Sequence, residues 1–579
     1  MPGVAVFPPI TPGHRRLLTV AVAGACLLAA APLLDLVVQV LVGPALTWTG
    51  DQALVELGVR EAGAWQRSLG AYSRFGWNHP GPLWLYLLAG PYRLLGADGR
   101  ALGATVALSH ALTAVLIVLT ATRLRAPSLQ AGSAVGAVSA AAAVLVLQHG
   151  FRPGAFVSPW NPYAVILPSL LFLLLAAGVL LRRPGWGVGA SVAATFLVQT
   201  HIGTLPLVLV VAGTVLLVRV ATASRSTLTA RDRTPRSGRH RTVRFELPRT
   251  GLGRWQAAGW SLLLAAWLPP LLEQIFGGGN LSRIAHFVTT SRHVTTWHAG
   301  ASVAGQLLYR TLLSRAPGRL DQLPAPAGGL TMLTLCLVAG PLLAALGYAT
   351  QEPVSRACGA VSTAGVIAGV VAAHQTVGAH DPYLLFWLPA APVPLLVGAV
   401  ALLAGPLRHR ASAATTSAPR CATGLGAART VTVLATTAAG IVLALPLLGG
   451  IRIRDLPAAR DSRPVSTEAA AVQRWLGPHH GPLLIRIVSH HLWPQAAGLL
   501  VRLRAQGQPS FVTPDWVPVF GTRQRLPRPT TLALDVSGRG TQQMSPAGSV
   551  LGTGRFGSTQ LTLVLARVPL SALPLPPQP

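Results

Sequence analysis

Only 16 of the 579 residues are Asp or Glu, so each group that could serve as a carboxylate base can be weighed in turn. Asp232, Glu246 and Glu352 fall in loops that the Arg distribution places in the cytoplasm, and Asp455, Asp461, Glu468, Asp515 and Asp535 belong to the C-terminal segment. Asp35 sits inside the first long apolar run. An ionisable group there is costly and a functional candidate by default, with pairing to a neighbouring helix as the plainer reading. That leaves Asp51, Glu56, Glu61, Asp98, Glu273, Asp321 and Asp381 near one face. Asp51 stands out. It follows the first apolar run directly, in TWTGDQALVEL, at the start of a helix whose polar face would carry Glu56 and Glu61. A positioned carboxylate in such a place can take the proton of an attacking hydroxyl. The competing role is helix N-capping, for which Asp is well suited.

A second group is Arg74-Phe75-Gly76-Trp77-Asn78-His79-Pro80-Gly81-Pro82. Arg and His can meet phosphate oxygens, Trp can stack on a sugar face, and the prolines fix a turn; an interfacial belt of Trp and Arg anchors is the bland alternative. His149, Arg152, Trp160, Asn161, His201, Glu273, Asn280, His286, Arg292, His293, His374, His380 and Asp381 fall on the same side. Eight of the 16 histidines (79, 149, 201, 286, 293, 298, 374 and 380) lie at outer ends of apolar runs, which predicts a polar cavity there. Two further pairs, His479-His480 and His490-His491, occur near the C-terminus. Neighbours on a strand point to opposite faces, so these read as surface or packing histidines and not as a metal chelate. Cys26, Cys336, Cys358 and Cys421 lie in spans or a cytoplasmic loop, and no disulfide or Cys metal site is expected.

What must position these residues is a membrane body. The chain is 51% hydrophobic and 11% charged, with a mean hydropathy of +0.51, whereas a soluble domain is about a quarter charged. Eleven apolar runs are candidate spans: 17–43, 101–122, 130–148, 162–181, 186–200, 203–219, 255–272, 329–349, 358–374, 383–404 and 430–448. The pair 186–200 and 203–219 is short enough to be re-entrant. Every one of the 46 basic residues is Arg, a bias typical of GC-rich coding. Arg15 and Arg16, Arg123 and Arg125, Arg182 and Arg183, ten Arg between Arg219 and Arg254, and Arg408 to Arg429 all fall on one side if the N-terminus is cytoplasmic. The net charge of +30 is then mostly cytoplasmic loops against an anionic leaflet. Nucleic-acid binding is not expected, because the Arg runs lack interleaved aromatics.

The expected organisation is a mainly α, polytopic membrane region over 1–449 and a small extracytoplasmic α/β domain over 450–579. Within the first, 44–100 and 273–328 are outer loops and 220–254 is a disordered cytoplasmic loop. Segments 51–70 and 83–96 read as amphipathic helices lying on the membrane surface. In the C-terminal domain helices are expected at 466–476 and 493–506, and strands at 482–488, 509–513, 530–536 and 560–567.

Asp51 after the first span, HPGPLWLYLLAGPYRLLG, and GRALGATVALSHALTAVLIVLTATRL resemble the integral-membrane glycosyltransferases of the GT-C superfamily. The pattern is similar to bacterial relatives of dolichyl-phosphate-mannose protein mannosyltransferases, which read Asp-Glu-Ala in the first outer loop and then His-Pro-Pro-Leu. The resemblance covers about residues 17–220. It implies sugar transfer from a polyprenyl-phosphate donor to a glycan, lipid or protein acceptor of the cell envelope, at the outer face. Asp51 would be the base. Arg74, His79, Arg292 and His293 would meet the lipid phosphate, with Trp77, Asn78, His201, Glu273, His380 and Asp381 lining the substrate site. Gln52 replaces the family's second acid, which argues against a paired-carboxylate metal site; no cofactor beyond the lipid-linked donor is expected. A transporter or lipid flippase, with broken helices about His201, and a non-catalytic scaffold of envelope assembly are the rival readings. A fusion of alkaline phosphatase after Pro579 should be active, and a cytoplasm-dependent reporter at the same point silent; the reverse pattern overturns the predicted orientation.

Overall fold

The computed structural model describes residues 12–125, 131–231, 253–291, 295–314, 328–404, 453–479, 481–527, 530–538, 549–556 and 561–567. Among these, eight helical segments are long and apolar enough to cross a bilayer: Arg15–Val42, Gly99–Leu124, Ser133–Gly150, Asn161–Leu180, Ile202–Ser224, Gly328–Ala349, Pro353–His374 and Pro382–Leu403. We read the chain as a multi-pass membrane protein on that ground. The expected eleven runs differ from this in three places. The run 186–200 forms a helix of 15 residues, Trp186–Thr200, well short of the ~20 needed to span. The run 255–272 lies within the 24-residue helix Gly253–Phe276, whose Trp, Gln and Pro269-Pro270 dilute its apolar character. The run 430–448 lies outside the described residues.

In chain order the first helices are α1 (Pro12–Val42), α2 (Gly50–Gly63), α3 (Leu83–Leu94), α4 (Gly99–Arg125) and α5 (Ala131–Gly150). A single turn α6 (Asn161–Ala164) leads into α7 (Ile166–Leu180), α8 (Trp186–Thr200) and α9 (Leu205–Arg231). Helix α9 continues through 220–231, so the segment expected to be a disordered loop from 220 begins as helix; 232–252 lie outside the described residues. Then come α10 (Gly253–Phe276), α11 (Asn280–Thr290), α12 (Trp297–Tyr309), α13 (Gly328–Ala349), α14 (Pro353–His374) and α15 (Pro394–Leu403). The acid in the first span is answered locally: Gln39 Nε2 donates to Asp35 Oδ2 at 2.6 Å, one turn on.

Between the first two candidate spans, the chain is shaped by backbone geometry. Residues 70–79 double back on themselves, with Gly70 N donating to His79 O, His79 N to Ala71 O and Ser73 N to Trp77 O. The tip turns at Gly76, whose φ of +85° suits glycine. The buried carboxylate of Glu56 in α2 accepts from the Tyr92 hydroxyl at 2.9 Å and from Arg60 at 2.8 Å. The Tyr92 bond ties α2 to α3, and together the two satisfy an acid that would otherwise be a costly buried charge.

The C-terminal region has a sheet of order β2-β1-β3-β5-β4, with β1 (Leu483–Ile487), β2 (Ser510–Val512), β3 (Leu532–Gly538), β4 (Ser549–Phe556) and β5 (Leu561–Arg567). Strand β1 runs parallel to β2 and β3, and β5 is antiparallel to both β3 and β4. Strand β4 was not expected: its Gly552 and Gly554 interrupt the apolar alternation, and both pack on the Trp475 ring. Helices α16 (Pro457–Leu476) and α17 (Trp493–Ala505) pack beside it; α16 starts at Pro457, nine residues before the predicted start, because Pro is well placed in a first helical turn.

This domain is seated on the start of α2. Thr47 N donates to Ala458 O at 3.0 Å, Thr49 Oγ1 to Asp461 Oδ2 at 2.8 Å, and Thr47 Oγ1 to Ser462 Oγ at 3.2 Å. Gly498 of α17 faces Trp48 O and Thr49 so closely that a Cβ would lie 3.0 Å from each. Gly498→Val should therefore overpack the joint and cost about 1–3 kcal/mol. Thermal unfolding of the purified protein reads this as a lowered midpoint, and an unchanged midpoint removes the joint from the stability of the fold.

Candidate active site

A cavity of about 710 Å³ opens where α2, the 70–79 turn, the 158–162 segment and the C-terminal domain meet. Asp51 lines it. The N-cap of α2 is Thr49, whose side chain makes no capping bond because it is committed to Asp461. Asp51 is inside the first turn, so its carboxylate is not the cap that the structural alternative required. It accepts a hydrogen bond from the Trp160 side chain, and burial pushes its pKa up to about 6, with the Trp160 bond opposing the rise. No guanidinium is paired with it among the described residues. Burial without a cation is the situation that raises a carboxyl pKa most effectively.

The 70–79 turn delivers Arg74, Trp77 and His79 to the same cavity, and His201 joins them from the end of α8. His79 and His201 lie ring to ring at 5.0 Å. His79 Nδ1 accepts the Ile202 N–H at 3.1 Å, which fixes its proton on Nε2. Full burial and the neighbouring imidazole hold its pKa well below the ordinary histidine range. His79 is thus a neutral donor, its Nε2–H the group it can offer. Arg74 is not free either: its guanidinium pairs with Asp381, donates to Ala379 O at 2.8 Å, and lies over Phe75 and Tyr383.

Four of the expected lining residues, Asn78, Glu273, His380 and Asp381, are not among those that line the cavity. Glu273 accepts from Gly278 N and Asn280 N at 2.9 and 3.0 Å, closing the turn between α10 and α11. Asn280 in turn grips Asn78: Asn78 N donates to Asn280 Oδ1 and Asn280 Nδ2 donates to Asn78 O. Asn78 is therefore a clamp that aims its neighbours Trp77 and His79. His380 shares a hydrogen bond with Thr295 at 3.2 Å, and Asp381 serves Arg74. Arg292 and His293 lie outside the described residues.

The unexpected part of the site comes from the C-terminal domain. His490, His491, Trp493, Trp516 and Val519 line the cavity. The two histidines lie on a single 3-10 turn, His490–Leu492, at the carboxyl end of β1, and not on a strand, so the opposite-face argument does not apply and both reach the cavity. Their adjacency and the following Trp were the only signals available. Trp160 and Asn161 were visible as outer-face polar residues; Trp516 and Tyr383 carried no signal. Among the described residues no group of three or more His, Cys, Asp or Glu is placed to hold a metal ion.

No family model matches the sequence, and no curated protein matches it. Among solved structures, the chain is similar to the oligosaccharyltransferase of Archaeoglobus fulgidus in its apo form, with a TM-score of 0.43, 14% identity, 87% of this chain covered and 66% of that one. The chain thus spans just under two thirds of that structure's length.

A carboxyl moved from 3.8 to about 6 binds its proton more tightly in the folded protein than in the unfolded chain. Its contribution to stability is then fully present below about pH 4 and is lost as pH rises through about 6. Between roughly pH 4 and 7.5, wild type should lose on the order of 3 kcal/mol relative to Asp51→Asn, which has no such proton. Parallel pH–stability curves for the two proteins would remove the buried-carboxyl assignment.

Proposed function

We propose that the protein is a membrane glycosyltransferase that moves a sugar from a polyprenyl-phosphate-linked donor to a cell-envelope acceptor, on the outer side of the membrane, with the N-terminus and the loop 220–254 in the cytoplasm and the C-terminal domain outside. The observation that carries this reading is Asp51: among the described residues it is the sole carboxylate lining a large aromatic cavity, and burial and Trp160 set its proton affinity near neutrality. A base of that strength is charged at pH 7 yet still takes a proton readily.

In the reaction, the acceptor hydroxyl oxygen bonds to the anomeric carbon while the bond from that carbon to the phosphate oxygen breaks. The phosphate leaves with the electron pair, and Asp51 receives the hydroxyl proton. The leaving phosphate already carries charge, so it needs hydrogen-bond donors and no acid. His79 Nε2–H is one donor in reach of the cavity. Arg74, held by Asp381, offers a fixed positive edge beside it, and preorganised donors of this kind stabilise developing charge. Aromatic walls from Trp77, Trp160 and Tyr383 suit the apolar face of a sugar ring.

Purified wild-type protein should turn over a radiolabelled polyprenyl-phosphate sugar in the presence of an envelope extract. Asp51→Asn should fold normally and transfer about 100-fold more slowly or worse. The wild-type rate should rise with pH through about 6, since the charged form is the base. Full activity in Asp51→Asn ends its role as base; no turnover by wild type with any lipid-linked sugar ends the transferase reading.

A further inference from the structure

Two cavity-lining tryptophans have buried indole nitrogens with no hydrogen-bond partner: Trp77 Nε1 on the 70–79 turn and Trp516 Nε1 in the C-terminal domain. The side chains are otherwise well held. Trp77 packs against Phe75, Phe287 and His79 with ring centroids 5.9, 5.7 and 5.7 Å away. Trp516 lies 5.0 Å from His490 and 6.0 Å from Phe520. Other tryptophans of the fold are satisfied: Trp48 Nε1 donates to Gly99 O, Trp84 Nε1 to Pro159 O, and Trp387 Nε1 to Gly203 O. A buried donor left unmet costs about 1–3 kcal/mol, and native folds seldom accept that without a reason. Here two such donors come from opposite parts of the sequence and belong to residues that line one cavity.

We propose that Trp516 and Trp77 form a carbohydrate subsite in the Asp51 cavity, their indole N–H groups donating to sugar oxygens, so that the C-terminal domain completes the binding site. The inference rests on the transferase reading and adds its substrate-recognition residues. The chemistry selects the ligand. Neutral single N–H donors beside aromatic faces match a sugar ring, which presents oxygens at its edge and C–H groups on its face. A phosphate would draw on a charged donor such as Arg74 for strength, whereas the indole N–H groups of Trp77 and Trp516 are neutral. A lipid tail would have no use for N–H donors. His490 and His491, on the same turn, add ring nitrogens able to donate or accept.

Replacing Trp by Phe keeps an aromatic ring and removes the N–H, which makes a selective test. Full-length protein in lipid nanodiscs is titrated with methyl α-D-mannopyranoside, methyl β-D-galactopyranoside and methyl α-D-arabinofuranoside, and binding is read by saturation-transfer NMR. At least one glycoside should bind wild type, and Trp516→Phe and Trp77→Phe should each weaken it on the order of 5-fold, as for loss of one neutral hydrogen bond. Trp65→Phe, at an exposed position, should bind as wild type does. Thermal midpoints of the two cavity variants should not fall through loss of a hydrogen bond, since no protein bond is removed. No binding of any glycoside to wild type, or equal binding to the Phe variants, overturns the subsite. Kinetics with the lipid-linked donor separate the two readings. Binding without turnover by wild type sinks the transferase reading and keeps the subsite; turnover with unchanged KM for donor and acceptor in both Phe variants sinks the subsite alone. A raised KM for donor or for acceptor supports the subsite and identifies which sugar it holds.

Discussion

The seating of the C-terminal domain on the first turn of α2 is the contact on which the site depends. Thr49 occupies the N-cap position, where a Thr side chain would normally receive a backbone N–H at a gain of roughly 0.5–2 kcal/mol. It bonds to Asp461 instead. The helix forgoes its own cap, and its start is held from outside by α16 and α17. At the other end of α2, Glu61 accepts from Arg67 and from Gln524 of the C-terminal domain. Both ends of the helix that carries Asp51 are therefore fixed by residues more than 400 positions away. Gly498 makes the approach possible, since a Cβ there would lie 3.0 Å from Thr49 and from Trp48 O, while Gly50, whose φ of +55° suits glycine, sits in ordinary contact distance of Pro494 and Trp493.

Charge is sorted around this joint with little left over. Glu56 has Arg60, Glu61 has Arg67, Asp381 has Arg74, and Asp535 has Arg486 across the β1–β3 pair. Glu273 is satisfied by two backbone N–H groups. Unlike the four ion-paired acids, Asp51 has an indole as its partner. Pairing removes a carboxylate from proton chemistry by favouring its charged form strongly; an indole N–H does so far less. The distribution of partners, more than the count of acids, therefore marks the site.

How much of this was legible in the sequence follows from what kind of information each feature needs. Eight spans are long apolar runs, and local composition finds them within a few residues. Asp51 was legible because it is an isolated acid beside the end of a span, and its candidate status needed only position. The bonds of Glu273 were not legible because its partners are backbone N–H groups, which look alike at every residue. His79 was placed near the right cavity, but its neutrality depends on Ile202 and His201, brought to it by folding. His490 and His491 were judged on a strand alternation, whereas β1 ends at Ile487 and the pair falls on the next turn. Trp516 belongs to a segment whose docking on α2 no local pattern announces.

The burial that suits Asp51 to the proposed role of base also makes it expensive. Moved into an aromatic wall, its charged form is destabilised on the order of 3 kcal/mol relative to water, a sizeable part of a typical folding free energy. Two features keep that cost from growing. The Trp160 hydrogen bond acts on the charged form, and the position in the first turn of α2 sets the carboxylate against the positive end of the helix dipole. Without them the same burial would carry the pKa higher still, leaving less of the group charged at neutral pH. With a guanidinium in place of the indole it would fall below the ordinary range, and the carboxylate would be too weak a base to draw a proton from a hydroxyl. A pKa of about 6 is the compromise between these two: mostly charged at neutral pH, and as basic as it can be while remaining so.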